Sequence, residues 1–383
     1  MTIGYPAEIE QMRPALRKFA TEQLEPFARV IDETGKVPDE VVVLLARNGY
    51  LGMRLPEKHG GANAGLSTYC LVLEEFSRIH RVYTIIVSAS SGIAPAAVSR
   101  VGTPEQQRKY LDGLTAGKRK AAFALTEPEA GSDSAAMRTR AERVNGGWVL
   151  NGRKHFINGG DIADFVVVMA VTDPAKRARG GITAFIVERG TPGFEVTRVD
   201  TTMGSEAIKL AELTFTDCRL DDGAVLGEVG GGFRIAMESL AQGRLGVSAS
   251  CIGTADRLLE MATAHALSRN TFGKPLASRQ AIQWMLADTA VELAAGRALT
   301  YSTIVDVERG VEVGSQPNMA KLYCSEMVGR VADRAVQIHG GMGMIRGFPV
   351  ERFYRDIRHY RIGDGASEIQ RMVIARGLLG RKE

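Results

Sequence analysis

The chain has 383 residues, of which 45% are hydrophobic, 24% charged and 6% aromatic, with a formal net charge of +4. This length allows two or three domains that each bury a core. Charges of both signs are mixed and no basic stripe with interleaved aromatic residues occurs, which argues against nucleic acid as a partner. No apolar run reaches the length of about 18 residues that crosses a bilayer, so no membrane association is expected.

The cysteines and histidines also restrict the class of protein. The four cysteines are scattered without a Cys-x-x-Cys pair, a pattern typical of reduced thiols in an intracellular protein. The first 19 residues carry acids and bases without an apolar segment, which does not fit a secretory signal. The six histidines show no metal-ligand spacing. We therefore expect a cytoplasmic protein without a metal site.

Three compositional zones predict three domains. Residues 1–120 have helical periodicity, and residues 103–106 (TPEQ) predict a capping box at a helix start. Residues 121–230 contain short β-prone runs at 148–150, 165–168, 182–187 and 213–215, separated by turn signals such as Asn151-Gly152. Residues 231–383 are helical again, with long alanine-rich stretches at 249–268, 281–307 and 319–338.

Several motifs could carry chemistry, although each also has a plain structural interpretation. Residues 126–133 (TEPEAGSD) fit a simple loop after a strand when taken alone. Residues 269–274 (RNTFGK) fit a helix end with a glycine cap. Residues 337–343 (QIHGGMG) are glycine-rich, but they lack the Gly-x-Gly-x-x-Gly pattern and a preceding strand, so a Rossmann loop is excluded.

Taken together, residues 126–133, 337–343 and 355–371 resemble the acyl-CoA dehydrogenase family, which are flavoenzymes, and the resemblance extends over essentially the whole chain. It implies an N-terminal helical domain, a middle small β-barrel or sandwich and a C-terminal four-helix bundle. It also implies FAD as the cofactor, a homotetramer built as a dimer of dimers, and an electron-transferring flavoprotein as the electron acceptor.

The resemblance also implies which residues contact the ligands. Ser132, Arg244 and Gly365 match substrate-contacting positions. The positions that match FAD contacts, some of them reaching the FAD of a partner subunit, are Leu125, Thr126, Gly131, Ser132, Phe156, Asn158, Arg269, Phe272, Gln280, Gln337, Gly340, Gly341 and Glu368.

Asp364 is the predicted catalytic base. In this family a carboxylate removes the proton α to the thioester while hydride leaves the β-carbon for flavin N5, and the base is usually a glutamate followed by Gly-Thr-Ser. Here Asp364 precedes Gly365-Ala366-Ser367. Aspartate has roughly 1.5 Å less reach, and a misplacement of about 1 Å costs around a hundredfold in rate. A plain Asp-Gly turn is the structural alternative.

The sequence leaves the substrate and three other functions open. Aspartate at this position also occurs in relatives that act on cyclic carboxyl-CoA thioesters, so a ring substrate is one expectation for the dehydrogenase. A flavin oxidase of the nitroalkane-oxidase type also uses aspartate, and some relatives work as enoyl-CoA reductases. The third possibility is a scaffold protein of the same fold without catalysis.

Overall fold

The computed structural model describes residues 4–380 and has the predicted order of helical, β and helical regions. The N-terminal region contains α1 (Ala7–Glu10), α2 (Arg13–Phe19), α3 (Glu25–Thr34), α4 (Asp39–Arg47), α5 (Leu66–Ser77), α6 (Arg81–Ser91), α7 (Ile93–Val101) and α8 (Pro104–Leu111). The predicted capping box is present at α8, where Thr103 and Gln106 each bond the other's amide N–H through their side chains, at 3.2 and 3.0 Å.

The segment Arg81–Val101 is long and apolar enough, by length and composition, to cross a membrane. The sequence expectation that no segment reaches this length is therefore wrong. The segment is divided at Gly92 into α6 and α7, and 56% of its most apolar window is buried inside the protein. Burial of this kind is what a core helix of a folded domain requires, because its apolar surface is covered by protein.

The middle region forms one eight-stranded mixed sheet. Its strands are β1 (Ala121–Ala124), β2 (Arg140–Val144), β3 (Gly147–Asn158), β4 (Phe165–Val171), β5 (Ile182–Glu188), β6 (Phe194–Asp200), β7 (Leu210–Asp221) and β8 (Val225–Leu226). The order is β6-β7-β3-β2-β4-β5-β8, and β1 pairs in parallel with β4. All four predicted β-prone runs lie within strands.

Two cores separate on the faces of this sheet. Along β4, Val166 and Val168 belong to one apolar cluster, while Phe165 and Val167 belong to the other, as alternation along a strand requires. Trp148 of β3 lies 5.5 Å from the Phe185 ring of β5, although β2 and β4 separate these strands. The sheet therefore curls around a core of its own.

The predicted turn at Asn151-Gly152 is wrong, because both residues lie inside β3. Gly152 instead marks a register shift between β3 and β7 and has φ +146°. A Cβ at this position would overlap Thr139, so a glycine is required by close packing.

The C-terminal region contains α9 (Gly232–Ser268), the short strands β9 (Asn270–Thr271) and β10 (Lys274–Pro275), α10 (Gln280–Glu308), α11 (Gln316–His339), α12 (Pro349–Ile357) and α13 (Ser367–Leu378). The three predicted alanine-rich helices lie within α9, α10 and α11. Helix α9 packs against α5, α10 and α11, and α11 also packs against α12 and α13.

A loop after β6 connects the sheet to the C-terminal helices. The amide and hydroxyl of Ser205 donate to Asp356 Oδ1 of α12 at 2.5 and 2.9 Å. Arg355 donates to the carbonyl of Met203 at 3.2 Å. These bonds fix the sheet next to the segment that leads into Asp364.

Candidate active site

Asp364 lies in the short connection between α12 and α13, in a left-handed backbone conformation. Its φ is +55°, and φ of the following Gly365 is +92°. Aspartate is among the few non-glycine residues that tolerate this region. The structure therefore has the Asp-Gly turn that the sequence offered as an alternative to a catalytic role. The turn and a role for the Asp364 carboxylate are compatible.

Four side chains, three of them buried, hold the backbone of this turn from several directions. Arg244 of α9 donates to the Asp364 carbonyl at 3.4 Å, and Lys321 of α11 donates to the Gly365 carbonyl at 2.7 Å. Gln370 of α13 donates to both carbonyls at 3.1 and 2.8 Å, and Asn318 fixes Gln370 by a bond of 2.6 Å. Four side chains from three helices thus set the position of Asp364.

Positively charged side chains outnumber negatively charged ones around the turn. Burial lowers the pKa of Arg244 and of Lys321, and in both cases the nearby negative charge of Asp364 acts in the opposite direction. One buried and one half-buried cation therefore lie near one carboxylate. The Asp364 carboxylate stabilises both of them in their charged form.

The functional groups of Asp364 itself remain available. Within residues 4–380, neither its carboxylate nor its amide N–H forms a hydrogen bond or ion pair with another group, whereas its carbonyl is bound by two side chains. A carboxylate fixed by its backbone and left without a partner is suited to accept a proton from a ligand.

The end of β3 presents an aromatic face. Phe156 is 55% exposed at φ +58° and stacks on His155, with ring centroids 3.9 Å apart. His155 in turn lies 3.0 Å from Asp200, the last residue of β6, whose following loop binds Asp356. Asn158, also exposed, ends the strand. An exposed aromatic ring at a positive φ is not part of the core, and its face is free to contact a ligand.

A buried ion pair orders the loop after β1. Lys154 Nζ lies 2.8 Å from Glu127 and donates to the carbonyl of Leu125 at 3.0 Å. Burial lowers the pKa of Lys154 to about 8, against the effect of Glu127. Glu127 also accepts hydrogen bonds from the amides of Arg138 and Thr139. Burial raises the pKa of Glu127, but Lys154 and these hydrogen bonds outweigh burial and hold the pKa below its ordinary value. The pair fixes Leu125 and Thr126 beside β3.

The predicted ligand positions after this loop are open. Ser132 and Gly131 are exposed, and a Cβ at Gly131 would meet no atom within 4 Å. The backbone of Thr126 accepts the amide of His155 at 2.9 Å. Loop 125–132 and the end of β3 therefore form one continuous surface.

The remaining predicted positions lie at the far end of the helices. Phe272 is 97% exposed at φ +51° between β9 and β10, and Arg269, Gln280, Gln337, Gly340 and Gly341 are exposed as well. The rings of His265 and His339 are 4.5 Å apart, which places the C-terminal ends of α9 and α11 together.

These distal positions do not meet Asp364 within one chain. Arg244 lies in α9, and Arg269 directly follows the last residue of this helix, 25 positions later. At 1.5 Å per residue this corresponds to roughly 37 Å. Glu368, in the first turn of α13, lies close to Asp364 in sequence and is exposed. The structure therefore divides the predicted residues into a near group and a distal group.

Sequence reasoning missed the residues that hold the turn, namely Lys321, Gln370 and Asn318, and the pair Lys154–Glu127. Lys321 is fully buried, and a single lysine between apolar residues in α11 was the one available signal. The others are ordinary polar residues in sequence and acquire their role only through contacts with distant segments.

A separate cleft of about 670 Å³ opens near the same segment but does not include Asp364. Arg330 and Arg334, which line it, already pair with Glu292, and Arg361 pairs with Glu326. Three of the four arginines that line this cleft are thus paired, two of them with the same glutamate.

Models of the three acyl-CoA dehydrogenase domains, N-terminal, middle and C-terminal, match residues 6–118, 122–218 and 230–379. An "Acyl-CoA dehydrogenase" of Bacillus subtilis is 38% identical over 96% of this chain and 97% of its own length. The "Caffeyl-CoA reductase-Etf complex subunit CarC" of Acetobacterium woodii is 37% identical over 97% and 98%.

Solved structures agree with these relatives. Butyryl-CoA dehydrogenase from Megasphaera elsdenii superposes with a TM-score of 0.93 at 34% identity, covering 99% of this chain and 100% of that one. The structure titled "PigA with FAD and proline" gives a TM-score of 0.95 at 28% identity and full coverage of both chains.

Proposed function

The chain belongs to the acyl-CoA dehydrogenase family, and we propose that it is an FAD-dependent enzyme that dehydrogenates the α,β-bond of an acyl-CoA thioester with Asp364 as the base. The observation that carries this assignment is the unpartnered carboxylate of Asp364. It is held by its backbone and lies near the half-buried cation Arg244 and the buried cation Lys321.

The residues present fit FAD. The loop at 125–132 and the exposed ring of Phe156 offer an open polar and aromatic surface, and Asn158 supplies hydrogen-bonding capacity beside it. Bound FAD would accept the β-hydride of the substrate. Leu125, Thr126, Ser132, Phe156 and Asn158 would hold it from this side.

The chain's own groups would perform the proton chemistry. The Asp364 carboxylate would take the α-proton, and its free amide N–H would donate to the thioester oxygen on which negative charge develops. Arg244, Lys321 and Gln370 would keep both groups in place through the backbone carbonyls. Gly365 would allow the thioester to approach the turn closely.

The distal group supports an oligomer. Phe272, Trp284 and Val291 expose apolar surface near the end of α9 and along α10, at 97%, 60% and 69%. Exposed apolar surface of this kind marks a partner interface. We assign it to another copy of this chain, so that Arg269, Phe272, Gln280, Gln337, Gly340 and Gly341 would reach the FAD of a partner. A homotetramer fits this arrangement.

The CarC relative, named as a subunit of a reductase–Etf complex, supports an electron-transferring flavoprotein as the electron partner and keeps the reductase direction as an alternative. A nitroalkane oxidase is the other alternative, because it too uses aspartate. A ring substrate stays a prediction that follows from the short reach of Asp364.

An anaerobic titration tests these functions together. The purified flavoprotein is mixed with linear and cyclic acyl-CoAs and with a nitroalkane, while the flavin spectrum is recorded. Bleaching by a thioester is expected, and Asp364→Asn should lower its rate at least about a thousandfold because no base remains. Asp333→Asn, at an exposed position, is the matched control. Bleaching by the nitroalkane alone would overturn the dehydrogenase assignment.

A further inference from the structure

Arg81 is a buried cation that forms no close ion pair with any of residues 4–380. It begins α6 and is 8% exposed. Within the described part of the chain it forms no ion pair and no side-chain hydrogen bond, and its Nε is buried without a partner. Its guanidinium packs on the ring of Tyr360 at 5.4 Å, and its charge acts on Asp356 and His359. A buried charge without a close ion pair favours the binding of a ligand of opposite charge.

His359 connects this arginine to the catalytic turn. Its ring takes the space that a side chain at Gly363, the residue before Asp364, would occupy, because a Cβ built there would overlap the imidazole. The ring lies 6.3 Å from that of Tyr360, on which Arg81 packs. No hydrogen bond of this imidazole to residues 4–380 is found. Arg81, His359 and Asp364 are thus joined through Tyr360 and Gly363.

The surrounding charges favour an anion at this place. The charge of Arg81, followed by burial and Lys321, lowers the pKa of His359 well below 6.5, so the imidazole is a neutral donor. Asp356 is the acid near Arg81. Its Oδ1 accepts from Ser205 and its Oδ2 has no hydrogen-bond partner among residues 4–380, but its charge acts on Arg352 more than on Arg81, so positive charge remains in excess here. The amides at the start of α6 add a positive end of a helix dipole.

We propose that Arg81 and His359 form an anion-recognition pair on the Tyr360 side of the Asp364 turn, so that the acyl group of the substrate carries a second carboxylate beyond its β-carbon. Arg81 would pair with this carboxylate and His359 would donate a hydrogen bond to it. This inference rests on the proposed dehydrogenase function and narrows its substrate to the CoA half-thioesters of dicarboxylic acids, linear or cyclic.

Chain-matched thioesters separate the anion from the acyl length. Glutaryl-CoA and adipoyl-CoA are compared with pentanoyl-CoA and hexanoyl-CoA in kcat/KM for flavin reduction, using the purified flavoprotein. Arg81→Met removes the charge and nearly keeps the volume. It should lower kcat/KM for the dicarboxylic thioesters by about a hundredfold and leave the uncharged ones nearly unchanged. His359→Phe should lower the former by about tenfold.

Arg100→Met on α7, where Arg100 pairs with exposed Glu238, controls for loss of an arginine in this region. Should Arg81→Met fail to fold, the wild-type Tm decides, since glutaryl-CoA must raise it more than pentanoyl-CoA does at equal concentration.

Equal reactivity of charged and uncharged thioesters in the wild type, or an equal loss for both in Arg81→Met, would overturn the inference and leave the dehydrogenase assignment standing. Absence of flavin reduction by every thioester would instead refute the proposed function itself.

Discussion

At the scale of the residue, His80 shows how a buried titratable group couples folding to pH. It caps α6, and its Nδ1 accepts the amide of Val82 at 3.2 Å. Burial, followed by the charges of Arg352 and Arg81, lowers its pKa well below 6.5. Below pH 6.5, His80 therefore binds a proton in the unfolded chain but stays neutral in the folded chain until the pH reaches its lower folded pKa. The stability that His80 confers is complete above pH 6.5 and is lost as the pH falls toward the folded pKa.

The variant His80→Asn isolates this effect, because asparagine is a preferred N-cap that does not titrate. Below pH 6.5 the wild type should lose about 1.4 kcal/mol of unfolding free energy per pH unit more than the variant does. Denaturant unfolding at several pH values measures the difference. Above pH 7 the unfolding free energies of the two proteins should change with pH in parallel. Parallel curves throughout the acid range would show that His80 protonates freely in the folded protein.

At the scale of the element, the contact between α5 and α9 depends on one missing side chain. A Cβ at Gly253 would overlap the carbonyl of Glu74 and the hydroxyl of Ser77. Glu74 is fully buried and is bound by Arg13 at 2.8 Å and Tyr301 at 2.5 Å. Because these bonds fix α5 against the bundle, α9 cannot retreat without breaking them.

Gly253→Ala should therefore destabilise the protein by about 1–3 kcal/mol through overpacking, although alanine is the better helix former. Gly377→Ala in α13 is the matched control. There the nearest atom to an added Cβ is Ser315 Oγ at 3.6 Å, so a gain of about 0.5–1 kcal/mol is expected. Thermal unfolding of both variants provides the comparison. A Gly253→Ala protein as stable as the wild type would mean that the helices separate without penalty.

At the scale of the whole molecule, the sequence predicted what depends on local pattern. The three-region order, the long helices and the β-prone runs follow from periodicity, which acts over a few residues. The side-chain hydrogen bonds that hold the Asp364 turn could not be predicted, because Lys321 and Gln370 reach the turn only when three helices pack together. That Arg81 forms no close ion pair within residues 4–380 likewise depends on its surroundings. Gly152 was misinterpreted because a glycine needed for close packing has the same sequence signal as a turn.

The separation of near and distal residues predicts complementation between two defective chains. Asp364→Asn removes the proposed base. Arg269→Glu reverses a charge that lies roughly 37 Å along α9 from Arg244, which holds the Asp364 turn. In a mixed dimer, one site would contain both defects. The other site would combine the intact Asp364 of one chain with the intact Arg269 of its partner.

Co-expression of the two variants with different tags, followed by tandem purification, should thus recover activity that neither variant has alone. Before purification, random pairing of equal amounts would restore about a quarter of the sites, since half of the dimers are mixed and each has one complete site; among the mixed dimers that tandem purification retains, about half of the sites would be complete. Each variant co-expressed with a second tagged copy of itself is the control. If mixed oligomers form and remain inactive, both residues serve a site within one chain, and the distal group must have another function.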